Sequence, residues 1–209
     1  MKTILFQGDS ITETGRSKED DSQIGSGYAA LVRGHIGFEH PGEFVFINRG
    51  VAGDRVTDMY ARIKKDAINL KPDVMSILVG VNDAWLEYWL GGNNGVEAEK
   101  YYKIYSMFIE EIQTSLPNTR IMILEPFALK GTSTLEHWDV FYQELRNRAD
   151  MAKEVAYQYG CVFVPLQEKF NELLRLAPES YWLRDGVHPT KEGHELIKRE
   201  WLSAFFEIQ

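Results

Sequence analysis

Thr3-Ile4-Leu5-Phe6-Gln7-Gly8-Asp9-Ser10 is the stretch around which the chain is organised. A short apolar strand runs into Gly8, and the polar sequence Asp9-Ser10-Ile11-Thr12-Glu13-Thr14-Gly15 follows it. In an open α/β sheet, chemistry gathers at the carboxyl ends of strands, where loops leave a rigid scaffold. A serine there is exposed enough to attack and held well enough to be aimed. On its own Gly8-Asp9-Ser10 is ordinary turn vocabulary, because Gly permits positive φ and Asp and Ser bond to nearby backbone. Its meaning depends on whether the chain repeats the strand–loop–helix unit and supplies a base, an orienting acid and oxyanion donors.

The unit does repeat. Apolar strands are expected at 3–6, 44–47, 74–79, 121–124 and 161–164. Between them, apolar residues recur at helical spacing over 28–36, 56–70, 96–115, 136–159, 166–176 and 191–205, with a short helix at 84–89. Gly37, Pro41 and Pro72 mark stops. The segments 15–26, 80–95, 126–134 and 177–189 read as loops or irregular chain. Val74-Met75-Ser76-Ile77-Leu78-Val79 is apolar nearly throughout, as a strand covered on both faces should be. Five strands alternating with helices imply a three-layer α/β/α sandwich on a parallel sheet. Right-handed crossovers leave few topologies, of which 2-1-3-4-5, the flavodoxin-like order, is the natural one.

The 209 residues suit one domain spanning 1–209. A net charge of −8 and the absence of any Lys/Arg cluster argue against a nucleic-acid partner. The single cysteine, Cys161, opens an apolar run, so it reads as a strand residue rather than a nucleophile, and no disulfide can form within the chain. The apolar start is too short for a signal peptide, and no stretch has the length of a transmembrane helix. The expectation is a cytoplasmic protein with no membrane partner. His35, His40, His137 and His194 are scattered without ligand spacing, so no metal is expected. Gly25-Ser26-Gly27-Tyr28-Ala29-Ala30 matches a dinucleotide fingerprint, but a polar run rather than a strand precedes it, so it reads as a helix start.

Polar residues of interest follow the first three strands and precede the last helix: Asn48-Arg49-Gly50-Val51-Ala52-Gly53-Asp54, Gly80-Val81-Asn82-Asp83 and Asp185-Gly186-Val187-His188-Pro189. Loops after adjacent parallel strands share one edge of the sheet, so these residues can converge. Ester hydrolysis needs a hydroxyl nucleophile, a base, a group to hold the base's tautomer, and donors where negative charge grows. Ser10 supplies the hydroxyl, His188 the base and Asp185 the orienting acid. The N–H groups of Ser10 and Gly53 and the amide of Asn82 are the candidate oxyanion donors. Each has a blander reading. His188 could pack beside Pro189, Asp185 could serve a turn, Gly53 could be a turn glycine, and Asn82-Asp83 could cap the helix that follows, which is the main role assigned to Asp83.

These four blocks, in this order and over nearly the full length, resemble the SGNH hydrolases, also called the GDSL family. The resemblance implies that Ser10 is the nucleophile, that Gly53 and Asn82 complete the oxyanion hole, and that Asp185 and His188 finish the triad. No cofactor is implied. Gly-x-Ser-x-Gly is absent, so the chain does not resemble the sharp-elbow α/β-hydrolases. Asn48-Arg49-Gly50-Val51-Ala52-Gly53 and Val79-Gly80-Val81-Asn82-Asp83-Ala84-Trp85 are most similar to bacterial carbohydrate acetylesterases, which implies an acetylated sugar as substrate. A lysophospholipase or acyl-thioesterase on the same fold is the alternative within the class, and a catalytically silent binding domain the alternative outside it.

Trp85, Tyr88, Trp89, Trp138 and Trp182 are the candidates for recognition. Trp85 and Trp182 sit three residues from Asn82 and Asp185 and are expected to line the pocket. Trp89 and Trp138 suit packing or an interface, and a homo-oligomer is compatible with such aromatic loops. Asp9 counts among the substrate-binding candidates, with the holding of its turn through backbone hydrogen bonds as the competing role. Arg55 and Arg184 flank the site or pair with surface acids.

Overall fold

A period of two in the strands and of 3.6 in the helices divides the apolar residues between two faces of one sheet. In the computed structural model, which describes residues 1–88 and 92–207, the order is β1 (Lys2–Gly8), α1 (Ser10–Glu13), α2 (Tyr28–Glu39), β2 (Phe44–Asn48), α3 (Val56–Ala61), α4 (Ile63–Asp66), β3 (Val74–Leu78), α5 (Val81–Trp85) and α6 (Ala98–Ser115). Then come β4 (Arg120–Leu124), α7 (Trp138–Gln158), β5 (Val162–Val164), α8 (Gln167–Leu173), α9 (Glu179–Trp182) and α10 (Lys191–Glu207). All strand pairings are parallel, in the order β2-β1-β3-β4-β5. That is the expected topology.

Ile4 and Phe6 point to one face, where Tyr28, Val32 and Ile36 of α2 and Ile197, Trp201 and Phe205 of α10 cover them. Phe6 and Trp201 rings lie 5.5 Å apart, and Trp201 stacks on Phe205 at 5.0 Å. Leu5, Met75, Ile77, Ile121 and Ile123 point the other way, into a core with Met59 of α3, Tyr105, Phe108 and Ile112 of α6 and Val155 of α7. Burying both faces of a parallel sheet is what its apolar strands require.

Several local readings change: α1 and α9 form at Ser10–Glu13 and Glu179–Trp182, where no helix was expected. β1 runs on through Gln7 and Gly8, because Gly8 still pairs with Leu78 of β3. Gly8 has φ +150°, and a Cβ there would come within 2.2 Å of the Leu78 carbonyl oxygen, so only glycine fits at this strand end. The helix expected over 56–70 is broken into α3, α4 and a 3₁₀ turn at Ile68–Leu70. Its apolar residues Val56, Met59, Ile63 and Ala67 are nonetheless all buried, and Arg62 holds the break by pairing with Asp54 at 2.7 Å and with Asp66 at 3.1 Å. The short helix expected at 84–89 starts earlier, at Val81. Among the described residues no helix is long and apolar enough to cross a membrane.

Candidate active site

The turn after β1 is set by its own side chains. Asp9 is the N-cap of α1, and its Oδ1 accepts the Ile11 N–H at 2.9 Å. Ser10 is then the first residue of a one-turn helix, half-buried at the carboxyl end of β1. Its N–H has no partner within the helix, because the first turn of a helix leaves its donors open. Asn48, at the end of β2, fastens this turn to its neighbours. Its amide donates to the carbonyls of Thr12 and Ile24 at 2.6 and 2.9 Å and accepts the Gly50 N–H at 2.9 Å.

His188 comes from far along the chain. An isolated antiparallel bridge between Leu183 and Pro189 closes the loop that carries it, and the Arg184 N–H donates to the His188 carbonyl at 2.8 Å. Asp185 Oδ1 accepts the N–H groups of Val187 and His188 at 3.0 and 2.8 Å. Its Oδ2 lies 2.7 Å from His188 Nδ1. Nδ1 therefore carries the proton, and Nε2 is left to accept from Ser10 Oγ, which is 3.0 Å away. Serine, histidine and aspartate are joined as the sequence spacing led one to expect.

The electrostatics agree with that proton arrangement. Burial alone would push Asp185 up, but the His188 ring and the two backbone N–H groups hold its carboxyl well below the usual carboxylate range. The same hydrogen bond raises the His188 pKa above its ordinary value, more than burial lowers it.

The oxyanion candidates stand opposite in the sheet order, after β2 and β3. Gly53 lies in an exposed turn at φ +84°, with open space where a Cβ would be, so its glycine meets a backbone requirement and not a packing one. Asn82, buried in the first turn of α5, donates one amide N–H to the Asp54 carbonyl at 2.9 Å. An amide nitrogen has two hydrogens, and this bond uses one of them. Asp83 does cap a helix, but not its own. α5 is capped by Gly80, whereas the Asp83 carboxyl accepts the N–H of Val56, the first residue of α3, at 3.0 Å. Asn82 and Asp83 thus grip both ends of the 54–56 segment that follows Gly53.

Two expectations are corrected. Asp9 is 1% exposed, so its side chain does not reach a substrate, and the turn-holding role is the one the structure displays. Its Oδ2 is buried without a hydrogen-bond partner, and burial raises its pKa to about 7. Trp182 does not line the triad. Its Nε1–H donates to the Ala177 carbonyl at 3.2 Å, and its ring borders a groove between α8 and α10. An indole at the end of a one-turn helix points where that turn directs it, which spacing from Asp185 does not reveal. Trp85 does approach the site: its ring is edge-on to His188, with centroids 6.4 Å apart.

The remaining readings are settled by their contacts. Trp138 stacks on Tyr142 at 4.7 Å, and Arg55 pairs with Asp58 at 2.8 Å. Trp89 lies outside the described residues. Gly27 is the N-cap of α2, as its reading as a helix start requires. Burial pushes the Cys161 thiol up to about 12, leaving it inert. His194 accepts the Tyr28 N–H on Nδ1 at 3.1 Å and ties α10 to α2. Among the described residues no group of His, Cys, Asp or Glu gathers to hold a metal.

The sequence reading missed the loop after β4. Ser133 N–H donates to the Asp185 carbonyl and Leu129 N–H to the Gly186 carbonyl, both at 2.9 Å. A Cβ on Gly131 would fall 2.3 Å from the Asp185 backbone. The signal available was the small polar run Gly131-Thr132-Ser133-Thr134 at the same edge of the sheet.

Comparison with known proteins bears on this geometry. The profile of the GDSL-like Lipase/Acylhydrolase family matches residues 6–196. An acetylxylan esterase from Geobacillus stearothermophilus is 29% identical over 213 residues, covering 95% of this chain and 91% of that one. A crystal structure from Parabacteroides merdae, described as a GDSL-like lipase, superposes with TM-score 0.89 at 34% identity, covering 97% of this chain and 94% of that one. A catalytic mutant of the Geobacillus esterase superposes with TM-score 0.87 at 28% identity, covering 97% and 93%. The catalytic mutants of that esterase replace a serine, an aspartate and a histidine three positions beyond the aspartate.

Proposed function

The chain belongs to the GDSL-like lipase/acylhydrolase family and is a serine carboxylic ester hydrolase, and on that premise we propose that it removes acetyl groups from a carbohydrate, with Ser10, His188 and Asp185 as its triad. The observation that carries the site assignment is the unbroken chain Ser10 Oγ–His188 Nε2, 3.0 Å, and His188 Nδ1–Asp185 Oδ2, 2.7 Å. His188 takes the Ser10 proton as Oγ bonds to the acyl carbon. The carbonyl oxygen becomes an oxyanion among the N–H groups of Ser10 and Gly53 and the amide of Asn82. As the carbon–oxygen bond to the alcohol breaks, His188 gives its proton to the departing alkoxide. Water then enters, His188 takes its proton, and hydroxide attack on the acyl-enzyme releases acetate and restores Ser10 Oγ–H.

The acetyl preference draws support from the acetylxylan esterase relative and from the loop after β4. There Phe127, Ala128 and Leu129 are buried in the core, and the short run that faces outward, Lys130, Gly131, Thr132 and Ser133, is polar. Rates on p-nitrophenyl acetate, butyrate and decanoate and on acetylated xylo-oligosaccharides test the reading. The expected order places acetate first, with release of acetate from the sugars, and a preference for decanoate would overturn it. A fluorophosphonate should label the wild type and not Ser10→Ala.

A further inference from the structure

A cleft of about 270 Å³ lies beside the triad, walled by Trp85 and Tyr88, by Ser133, Glu136 and His137 of the segment before α7, and by Phe141 of α7. Trp85 joins the cleft to the triad. One edge of its ring faces His188, and its Nε1–H donates to the Ser133 carbonyl at 3.3 Å, while Ser133 N–H holds the Asp185 carbonyl. The cleft and the triad thus share a wall made of Trp85 and the loop after β4.

A serine esterase divides its substrate between two sides. The acyl oxygen goes to the oxyanion donors, and the alcohol departs next to the group that protonates it. That group is His188, whose ring meets the Trp85 wall of the cleft edge-on. The lining of the cleft bears on the kind of alcohol. Tyr88 and His137 rings, 6.0 Å apart and inclined at 37°, form one aromatic wall, and the exposed Glu136 carboxylate and Thr132 hydroxyl sit on the same rim. An aromatic face beside hydrogen-bonding groups suits a ring with C–H on one face and hydroxyls at its edge.

We propose that this cleft is the subsite for the departing sugar, and that Tyr88, Glu136 and His137 set the choice of alcohol while leaving acyl-length preference to other residues. The proposal rests on the carbohydrate reading above. It is tested with Tyr88→Ala, His137→Ala and Glu136→Gln on acetylated xylotriose, ethyl acetate, ethyl butyrate and cyclohexyl acetate. His137 and Glu136 are exposed, so those two variants keep the test open should Tyr88→Ala fold poorly. For Tyr88→Ala and His137→Ala, kcat/KM on acetylated xylotriose relative to ethyl acetate should fall about tenfold, the size of one lost aromatic contact, mainly through KM. The ethyl acetate to ethyl butyrate ratio should move less than twofold. An unchanged sugar-to-ethyl ratio overturns the subsite, and so does a shift in the acetate-to-butyrate ratio. A wild type that cleaves ethyl acetate but no acetylated sugar defeats the carbohydrate reading instead. In that case a drop in the cyclohexyl-to-ethyl ratio in the variants still supports the alcohol side of the assignment, and no drop overturns it.

Discussion

The two halves of the site are built in opposite ways. Ser10, Gly53 and Asn82 follow three adjacent strands, and the side chains of Asn48, Asn82 and Asp83 lock those turns to each other in buried surroundings. Asp185 and His188 sit half-buried on a loop that follows no strand, held by Leu183–Pro189 pairing and by the 129–134 segment. Each half carries one carboxyl close to Ser10 in sequence or space, and the two behave differently. Asp185 receives three hydrogen bonds and stays charged, whereas Asp9 receives one, is buried, and is raised to about 7. Burial disfavours the ion in both, but it is deeper at Asp9, whereas Asp185 has the His188 ring and two backbone N–H groups to hold its charge. The charge is thus kept beside the imidazole that uses it.

The contrast breaks most visibly at Asp185. Asp185→Asn should cost about 10⁴-fold in kcat, because the tautomer of His188 is no longer imposed. Its pH profile gives the sign. In the wild type the carboxylate raises the His188 pKa, so the basic form is lost as pH falls through that raised value. Without it the acid limb should move to lower pH. A wild-type profile flat down to pH 4 would remove His188 as the base. Asn82→Ala should cut kcat about 10²–10³-fold through lost oxyanion stabilisation, with the acid limb unmoved. A loss below threefold would confine Asn82 to holding Asp54.

Smaller effects sharpen the same comparison. Gly131→Ala places a Cβ against the Asp185 backbone and should push the imidazole loop outward. A fall of about tenfold in kcat is expected, because the imidazole is displaced from Ser10. An unchanged kcat would mean that Gly131 does not position the imidazole loop. Asp9→Asn tests the buried carboxyl. With a folded pKa near 7 against an ordinary 3.8, the folded protein holds a proton that the unfolded chain releases between those values. That contribution to stability is complete below pH 3.8 and is lost as pH rises through about 7. The drop in melting temperature from pH 5 to pH 8 should therefore shrink by a few degrees in Asp9→Asn, with Asp83 and His188, whose pKa values are also raised, contributing to what remains. Identical drops in both proteins would show that Asp9 is ionised.

Much of this was legible from residue order because its causes are local. Strands and helices follow from apolar periodicity, and Ser10, Gly53 and Asn82 follow strand ends that a parallel sheet gathers at one edge. Val56, Met59, Ile63 and Ala67 keep helical spacing, yet the chain breaks between them, since Arg62 is drawn to Asp54 and Asp66. Asp83 shows the same limit: an acid in the first turn of a helix reads as that helix's own cap, and its true partner is Val56, 27 positions back.

The order of residues by itself determined the strands and the longer helices, because side-chain period acts over a few positions, and its four polar blocks in order named the serine, aspartate and histidine that meet. Tertiary structure alone decided that Asp9 turns inward, that Trp182 faces α8 and α10 while Trp85 faces His188, and that the 129–134 loop steadies Asp185. Those outcomes come from packing between segments remote in sequence, where the direction of a side chain depends on which neighbour fills the space beside it.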